Sequence, residues 1–328
     1  MALMTTQGTV LSGTGGVWRV LLAGGETVDA SLRGRLKKQE EQGSTPRVSL
    51  GHASRAPETS LKLAVGDDVD VEPDAGGAAW SISAIHPRRS KLARRAPGRA
   101  IGERVVVANI DQVVVVFAAA NPDPHPRMLD RFLVIAESNS LSARIVVNKC
   151  DLVVEAGARK IFGDYEKAGY PVHYTSVVSR NGLEELRETV QGRVSALSGP
   201  SGVGKSSLMN ALFPGLNLRV GAISESVNKG RHTTVGALLY PLPGGGFVAD
   251  TPGLREVGLW GISMREVAAC FPELLPYLDS CRFADCTHLV EPGCAVREAV
   301  DAGAVSKARW ESYAKLRDEL SSAPAAGR

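Results

Sequence analysis

The stretch Gly199-Pro200-Ser201-Gly202-Val203-Gly204-Lys205-Ser206-Ser207 satisfies the spacing G-x-x-x-x-G-K-[ST] at every fixed position. Glycines let a loop curl until its N–H groups point at phosphate oxygens, and a helix N-terminus behind the loop adds its positive dipole end. Lys205 supplies a point charge for the β- and γ-phosphates, and the Ser206 hydroxyl can ligate Mg²⁺. All nine residues are candidates for contact with a nucleoside triphosphate. Upstream, Asn148-Lys149-Cys150-Asp151 fits N-K-x-D. A carboxylate at Asp151 accepts from guanine N1–H and the 2-amino group, whereas adenine offers neither donor, so this element selects guanine. Lys149 would cover the base and Asn148 would tie loops together.

Three further elements belong to the same chemistry. Ser176 and Val177 follow Thr175 at the place of the short element whose backbone N–H meets guanine O6. In Lys229-Gly230-Arg231-His232-Thr233-Thr234, a polar loop, a hydroxyl of Thr234 or of Thr233 beside it can complete the Mg²⁺ shell. Asp250-Thr251-Pro252-Gly253 fits D-x-x-G, with Asp250 meeting Mg²⁺ through water and Gly253 sensing the γ-phosphate. Leu254 comes next, where many small GTPases carry the glutamine that orients water, and leucine has no hydrogen-bonding group. His232 is then the polar side chain best placed by sequence to act at the γ-phosphate, with Lys205 and Thr234 as its partners in catalysis.

Separate from these, Cys281-x4-Cys286-x-His288-x5-Cys294 offers three thiolates and one imidazole within a short segment. That set closes a tetrahedral zinc shell with no position left for water, which implies a structural ion and excludes a zinc hydrolase. Cys150 and Cys270 stand outside the cluster, and the cysteines suggest a metal site more than a disulfide framework.

Positioning this chemistry requires strands that end in loops. Val194 to Leu197 ahead of the phosphate loop reads as a short buried strand, and Leu208 to Phe213 behind it as a helical face. The apolar run within Ala108–Phe117 reads as one buried strand. A helix is expected over Arg127–Ser138, a strand over Ala143–Val147, a helix over Ala156–Ala168, a strand over Val172–Thr175 and a helix over Leu183–Val190. This alternation is that of a doubly wound parallel sheet. The base motif precedes the phosphate loop, the reverse of the usual GTPase order, which makes the domain a circular permutation. Ahead of it, five short β segments between Thr9 and Ile85, separated in part by glycine pairs, suggest a small closed barrel of the OB type. The polar stretch 33–60 reads as a long loop, and the basic stretch Arg88–Arg104 as a linker whose cations can meet phosphates.

With 328 residues, 44% hydrophobic and 22% charged, the chain is an ordinary globular sequence long enough for two or three domains. Its net charge of +3 says little; the clustering of the basic residues says more. The longest apolar run, Val113–Ala120, is too short to span a bilayer and no signal core opens the chain, so a cytoplasmic protein is expected.

Taken together, Ala108-Asn109-Ile110-Asp111-Gln112, Asn148–Asp151, Gly199–Ser207, Gly230–Thr234, Asp250–Gly253 and the Cys/His cluster resemble the RsgA (YjeQ/EngC) family of circularly permuted GTPases across nearly the whole chain. The resemblance implies a multidomain protein: an N-terminal OB-fold with its basic linker over 1–95, a permuted α/β P-loop GTPase domain over 96–262, and a small helical zinc domain over 263–328. It implies a GTPase that binds the 30S ribosomal subunit and 16S rRNA, assists late subunit maturation and hydrolyses GTP to GDP faster on the subunit. Mg²⁺ with GTP, one structural zinc per chain, no membrane and a monomeric state complete the expectation. The competing reading is an RNA-binding scaffold switched by nucleotide, in which hydrolysis is incidental; the intact set Lys205, Ser206, Thr234 and Asp250 weighs against it.

Overall fold

In the first part of the chain, β-branched residues alternate with polar ones at the strand period of two, which buries one face of each strand. The computed structural model describes residues 5–34, 36, 62–74, 79–95, 103–218, 237–250 and 262–322. Strands β1 (Thr6–Thr14), β2 (Val17–Leu22), β3 (Thr27–Leu32), β4 (Asp68–Pro73) and β5 (Trp80–Ile85) close a barrel in the order β1-β2-β3-β5-β4. β1 pairs with both β2 and β4, and β3 runs parallel to β5, which is the OB arrangement. Val10, Val20, Val28, Val69, Val71 and Ile82 fill the interior.

The basic stretch expected to be a linker is instead structured over its described residues, 88–95 and 103–104. β6 (Lys91–Arg95) and β7 (Glu103–Ala108) form an antiparallel ribbon in which Leu92 faces Val107, both buried. The expected boundary at 95/96 falls between the two strands of this ribbon. Arg88 is engaged inside the molecule: its Nε and Nη2 donate to the two oxygens of the fully buried Asp67 carboxylate at 2.6 and 2.8 Å. Arg89 donates through Nη2 to the Asn109 carbonyl at 2.6 Å and to Asp111 at 3.0 Å. Arg88 thus braces the barrel and Arg89 fastens it to the segment entering the central sheet, so neither is the open phosphate contact expected of it. Most of the loop 33–60 lies outside the described residues.

Asn109 divides the single strand expected over Ala108–Phe117. It takes φ 55°, and its side-chain amide donates to the Gly66 carbonyl at 2.9 Å. After it, β8 (Gln112–Ala118) is buried at all seven positions, as a central strand covered on both faces must be. The chain continues through α1 (Pro126–Ser138), β9 (Ser142–Asn148), α2 (Glu155–Lys167), β10 (Val172–Tyr174), α3 (Leu183–Val190), β11 (Val194–Ser198), α4 (Lys205–Leu212), β12 (Leu238–Pro241) and β13 (Phe247–Asp250). The sheet order is β10-β9-β8-β11-β13-β12, parallel except for β12. α1 and α2 pack on one face, and α3 and α4 on the other.

Beyond 262 the chain forms short turns and α5 (Leu275–Leu278), α6 (Ala295–Asp301) and α7 (Lys307–Ser322). Phe271, Leu274, Tyr313 and Leu316 join the same apolar cluster as Leu129 and Phe132 of α1, so this region is docked on the α1 face. Arg309 lies in that seam, 3% exposed. It donates to Asp130 of α1 and, through Nε at 2.7 Å, to Glu273. No helix among the described residues is long and apolar enough to cross a membrane.

Candidate nucleotide site and metal centre

Parallel strands bring their carboxyl ends, and the loops that leave them, to one edge of a sheet. Here the turn after β9 and the loop after β11 flank the end of β8. The loop after β11 bends against β8 so closely that a Cβ on Gly199, whose φ is 128°, would lie 2.0 Å from the Val116 carbonyl oxygen. Gly204 caps α4 at φ 91°. Lys205 is 5% exposed, and its Nζ donates to the Gly199 and Pro200 carbonyls at 2.9 and 2.5 Å, which holds the ammonium within the loop.

The base motif is tied to this loop directly. Asn148, 2% exposed, donates through Nδ2 to the Val203 carbonyl at 2.9 Å and accepts from the Thr175 hydroxyl at 3.3 Å. Lys149, at φ 60°, donates to the Gly202 carbonyl at 2.8 Å and to that of Asn121. The Ser176 hydroxyl donates to Asp151 at 2.5 Å and accepts the Ser179 N–H at 3.0 Å, so the Asp151 carboxylate is oriented by the turn after β10. Cys150 is anchored through its N–H to the Thr175 carbonyl at 3.1 Å. Asn121, Asn148, Lys149, Asp151, Val178 and Gly204 are among the residues lining a cleft of about 480 Å³ between the two elements. Ser207 and Val177 face the same cleft.

Asp250 ends β13 beside Leu197 of β11 and is 7% exposed. Burial, and then the Asp250 charge, push the Tyr240 phenol above its ordinary range. The structure thus gathers Asn148 to Asp151, Ser176, Val177, the loop Gly199 to Ser207 and Asp250 along one edge. His232, Thr233, Thr234, Gly253 and Leu254 lie outside the described residues. Thr175 and Asn121 hold the base motif in place without any sequence signal of their own for that role; Thr175 adjoins Ser176, but nothing local to Asn121 marks its carbonyl.

Apart from this edge, one ligand atom from each of Cys281, Cys286, His288 and Cys294 falls within 4.8 Å of the others. The Cys281 and Cys294 sulfurs are 3.9 Å apart. Two thiolates on one zinc, each about 2.3 Å from it at the tetrahedral angle, stand about 3.8 Å apart. His288 Nδ1 lies 3.4 and 3.6 Å from the same sulfurs, so the cluster has the size and donor set of a zinc shell. Its backbone is held by α7: Trp310 Nε1 donates to the His288 carbonyl at 2.9 Å and the Tyr313 hydroxyl to that of Thr287 at 2.7 Å. Glu291 accepts the Thr287 and Leu289 N–H groups at 2.9 and 3.2 Å. Burial opposes its charge, but hydrogen bonds from the Thr287 hydroxyl and from the Glu291, Thr287 and Val290 N–H groups prevail and hold its carboxyl at about 2.

In the chain, the turn after β9 comes before the loop after β11; in space the two stand on either side of β8, as in a sheet numbered from a different start. Fold and site together define a P-loop GTPase whose connections are circularly permuted. Residues 85–260 match the family model described as RsgA GTPase. The chain is 65% identical over 317 residues to the small ribosomal subunit biogenesis GTPase RsgA of Gemmatimonas aurantiaca, covering 96% of this chain and 98% of that protein. Among solved structures, YjeQ from Thermotoga maritima matches with a TM-score of 0.76 at 34% identity, over 97% of this chain and 99% of that one. YloQ, described as a circularly permuted GTPase, matches with a TM-score of 0.70 at 25% identity, over 97% and 96%. The chain belongs to the RsgA GTPase family, and its enzymatic activity is GTP hydrolysis.

Proposed function

We propose that this GTPase acts in late maturation of the small ribosomal subunit, binding the 30S particle and its 16S rRNA and hydrolysing GTP there. The observation that carries the nucleotide part is the Asn148–Val203 hydrogen bond of 2.9 Å, which joins the guanine-selecting turn to the phosphate loop as a single site. The ribosomal part is supported by the role that the Gemmatimonas relative is named for. In this reading Asp151 accepts from the guanine edge and Lys149 covers the ring. Ser176 spends its own N–H on the Asn181 carbonyl at 3.1 Å, which leaves Val177 to supply the N–H for guanine O6. Residues 199–207 hold the phosphates. Lys205 neutralises charge as it builds on the transferred phosphoryl group, and Ser206, Thr234 and Asp250 hold the Mg²⁺ that offsets the rest. Gly253 senses the γ-phosphate and His232 positions the attacking water. Cys281, Cys286, His288 and Cys294 hold one zinc, which supplies folding energy and no chemistry.

A division near 1–95, 96–262 and 263–328 goes with this scheme once its first boundary is moved clear of the β6–β7 ribbon, with barrel and zinc region as RNA-binding flanks of the catalytic part. In this reading the protein works in the cytoplasm as a monomer. The test compares GTP turnover with and without purified 30S subunits. Stimulation of the parent protein is expected, and its absence overturns the ribosomal reading. His232→Ala should keep nucleotide affinity and slow basal turnover but lose most of the stimulation, because its loop contributes through positioning. If that variant is stimulated as strongly as the parent, another group orients the water.

A further inference from the structure

The motif Asp111-Gln112 has no part in the nucleotide chemistry, and it marks a second charged site at the other end of the sheet. Asp111, Gln112, Ser142, Arg144, Gly192 and Arg193 line a pocket of about 370 Å³ where β8, β9 and β11 begin. Gln112 is buried and committed on both sides: its NH₂ donates to the Thr189 carbonyl and the Ser195 hydroxyl, each at 3.0 Å, and its oxygen accepts Arg144 Nε at 2.7 Å. That last bond fixes the plane of the Arg144 guanidinium while using only one of its five N–H groups. The one carboxylate among the described residues of the pocket is already matched. Asp111 accepts the Val194 N–H at 2.7 Å and Arg89 at 3.0 Å. Among the described residues, neither Arg144 nor Arg193 has an ion-pair partner. Burial and the neighbouring Arg193 charge both push the Arg144 guanidinium below its ordinary value, as expected where two cations share a partly enclosed space.

We infer that Arg144 and Arg193, with Gln112 fixing the first, form a binding site for a phosphodiester of an RNA backbone. Paired guanidinium forks match phosphate oxygens in geometry as well as charge. A free nucleotide finds less here: the described residues of the pocket form no glycine-rich cradle of N–H groups, and Ser142, Gly192 and Arg193 are open enough to solvent for a strand to pass across the mouth. The Arg89–Asp111 bond borders the pocket and comes from the chain leaving the OB barrel, which puts the site beside a fold suited to RNA. The inference deepens the ribosomal reading above and rests on it for the identity of the RNA.

The test measures binding of the full-length protein to a short RNA duplex and, separately, to 30S subunits with a non-hydrolysable GTP analogue, over a range of salt. Arg144→Ala/Arg193→Ala should bind both roughly tenfold more weakly at 0.1 M salt, with the slope of log K against log salt reduced by about one to two. Arg193→Glu, a reversal at an exposed position that does not threaten folding, should weaken binding at least as much. GTP affinity and basal turnover should be unchanged. Equal affinity and equal slope for parent and both variants overturn the proposal and leave the ribosomal reading standing. A parent that fails to bind 30S while the variants lose affinity for the duplex overturns the ribosomal reading and leaves the site standing. Saturable binding of inorganic phosphate at Arg144, followed by its side-chain ¹⁵N resonance, with no loss of RNA affinity in the variants, assigns the pocket to a small anion and overturns the RNA proposal.

Discussion

Gly204 is where the two halves of the nucleotide site touch. Its φ of 91° disfavours any side chain, and a Cβ there would stand 2.6 Å from Asn148 Nδ2. Gly204→Ala is therefore expected to push the base-selecting turn off the phosphate loop and to lower GTP affinity about tenfold or more, since strain of this kind costs about 1–3 kcal/mol. A fluorescent-nucleotide titration measures it, with zinc content as the control that should not move. Lys205→Ala should abolish most hydrolysis. Asp151→Asn should narrow the preference for GTP over ATP, read from turnover with each nucleotide. At this scale the sequence marks, by residue types at fixed short spacing, the Asn148–Asp151 turn and the 199–207 loop that the structure brings together. Gln112 shows where that ends: its partners Thr189 and Ser195 are 77 and 83 residues away, and no local pattern records such a bond.

Elements were legible in proportion to their length and burial. β8, α3 and the barrel strands announce themselves through apolar runs or alternation, whereas β12 and β13 have four residues each and draw their strand character from neighbours. The β6–β7 ribbon was hidden by its charge: Lys91-Leu92-Ala93-Arg94-Arg95 reads as a solvated run until Val107 arrives to cover Leu92. The apolar side of α7, with Tyr313 and Leu316, is legible as a face that packs back on the domain, but the burial of Arg309 is not, because an arginine in a helix is ordinarily a surface residue. Arg309 is instead enclosed, with Phe271 and Tyr165 rings 4.6 and 5.0 Å from its guanidinium and two carboxylates to pair with. Arg309→Met would leave Asp130 and Glu273 without their cation in a buried seam, at a cost of about 3–5 kcal/mol. Thermal unfolding should show the loss, and hydrogen exchange should show α7 opening before the central sheet. Arg309→Lys should recover only part of it, since an ammonium cannot serve both acids as a fork does.

For the whole molecule, the permuted order means that the chain leaves the sheet at Asp250 and reaches the docked C-terminal region by residue 262. That region is fixed to the GTPase layer at a second point, where the Ser306 hydroxyl donates to Asp164 of α2 at 2.6 Å. This hydrogen bond, against some opposing burial, lowers the Asp164 carboxyl below its ordinary 3.8. A depressed carboxylate stabilises the fold fully above its unfolded value and ceases to do so as pH falls through the lower folded value. The anchor should therefore be insensitive to pH near neutrality and weaken only in acid below about pH 4. Ser306→Ala should bring the Asp164 titration, followed by NMR, back toward the ordinary value. The hold of α7 on the Cys/His cluster has an optical consequence. Trp310 donates its indole N–H to the backbone of His288, a member of the Cys/His cluster, while Trp18 and Trp80 belong to the barrel and Trp260 lies outside the described residues. Chelation should release that indole to water and shift part of the emission to the red, with the barrel tryptophans as a constant background; Trp310→Phe should remove the shift. With zinc bound there as proposed, Trp310 would serve as a fluorescent gauge of metal loading, readable without labelling.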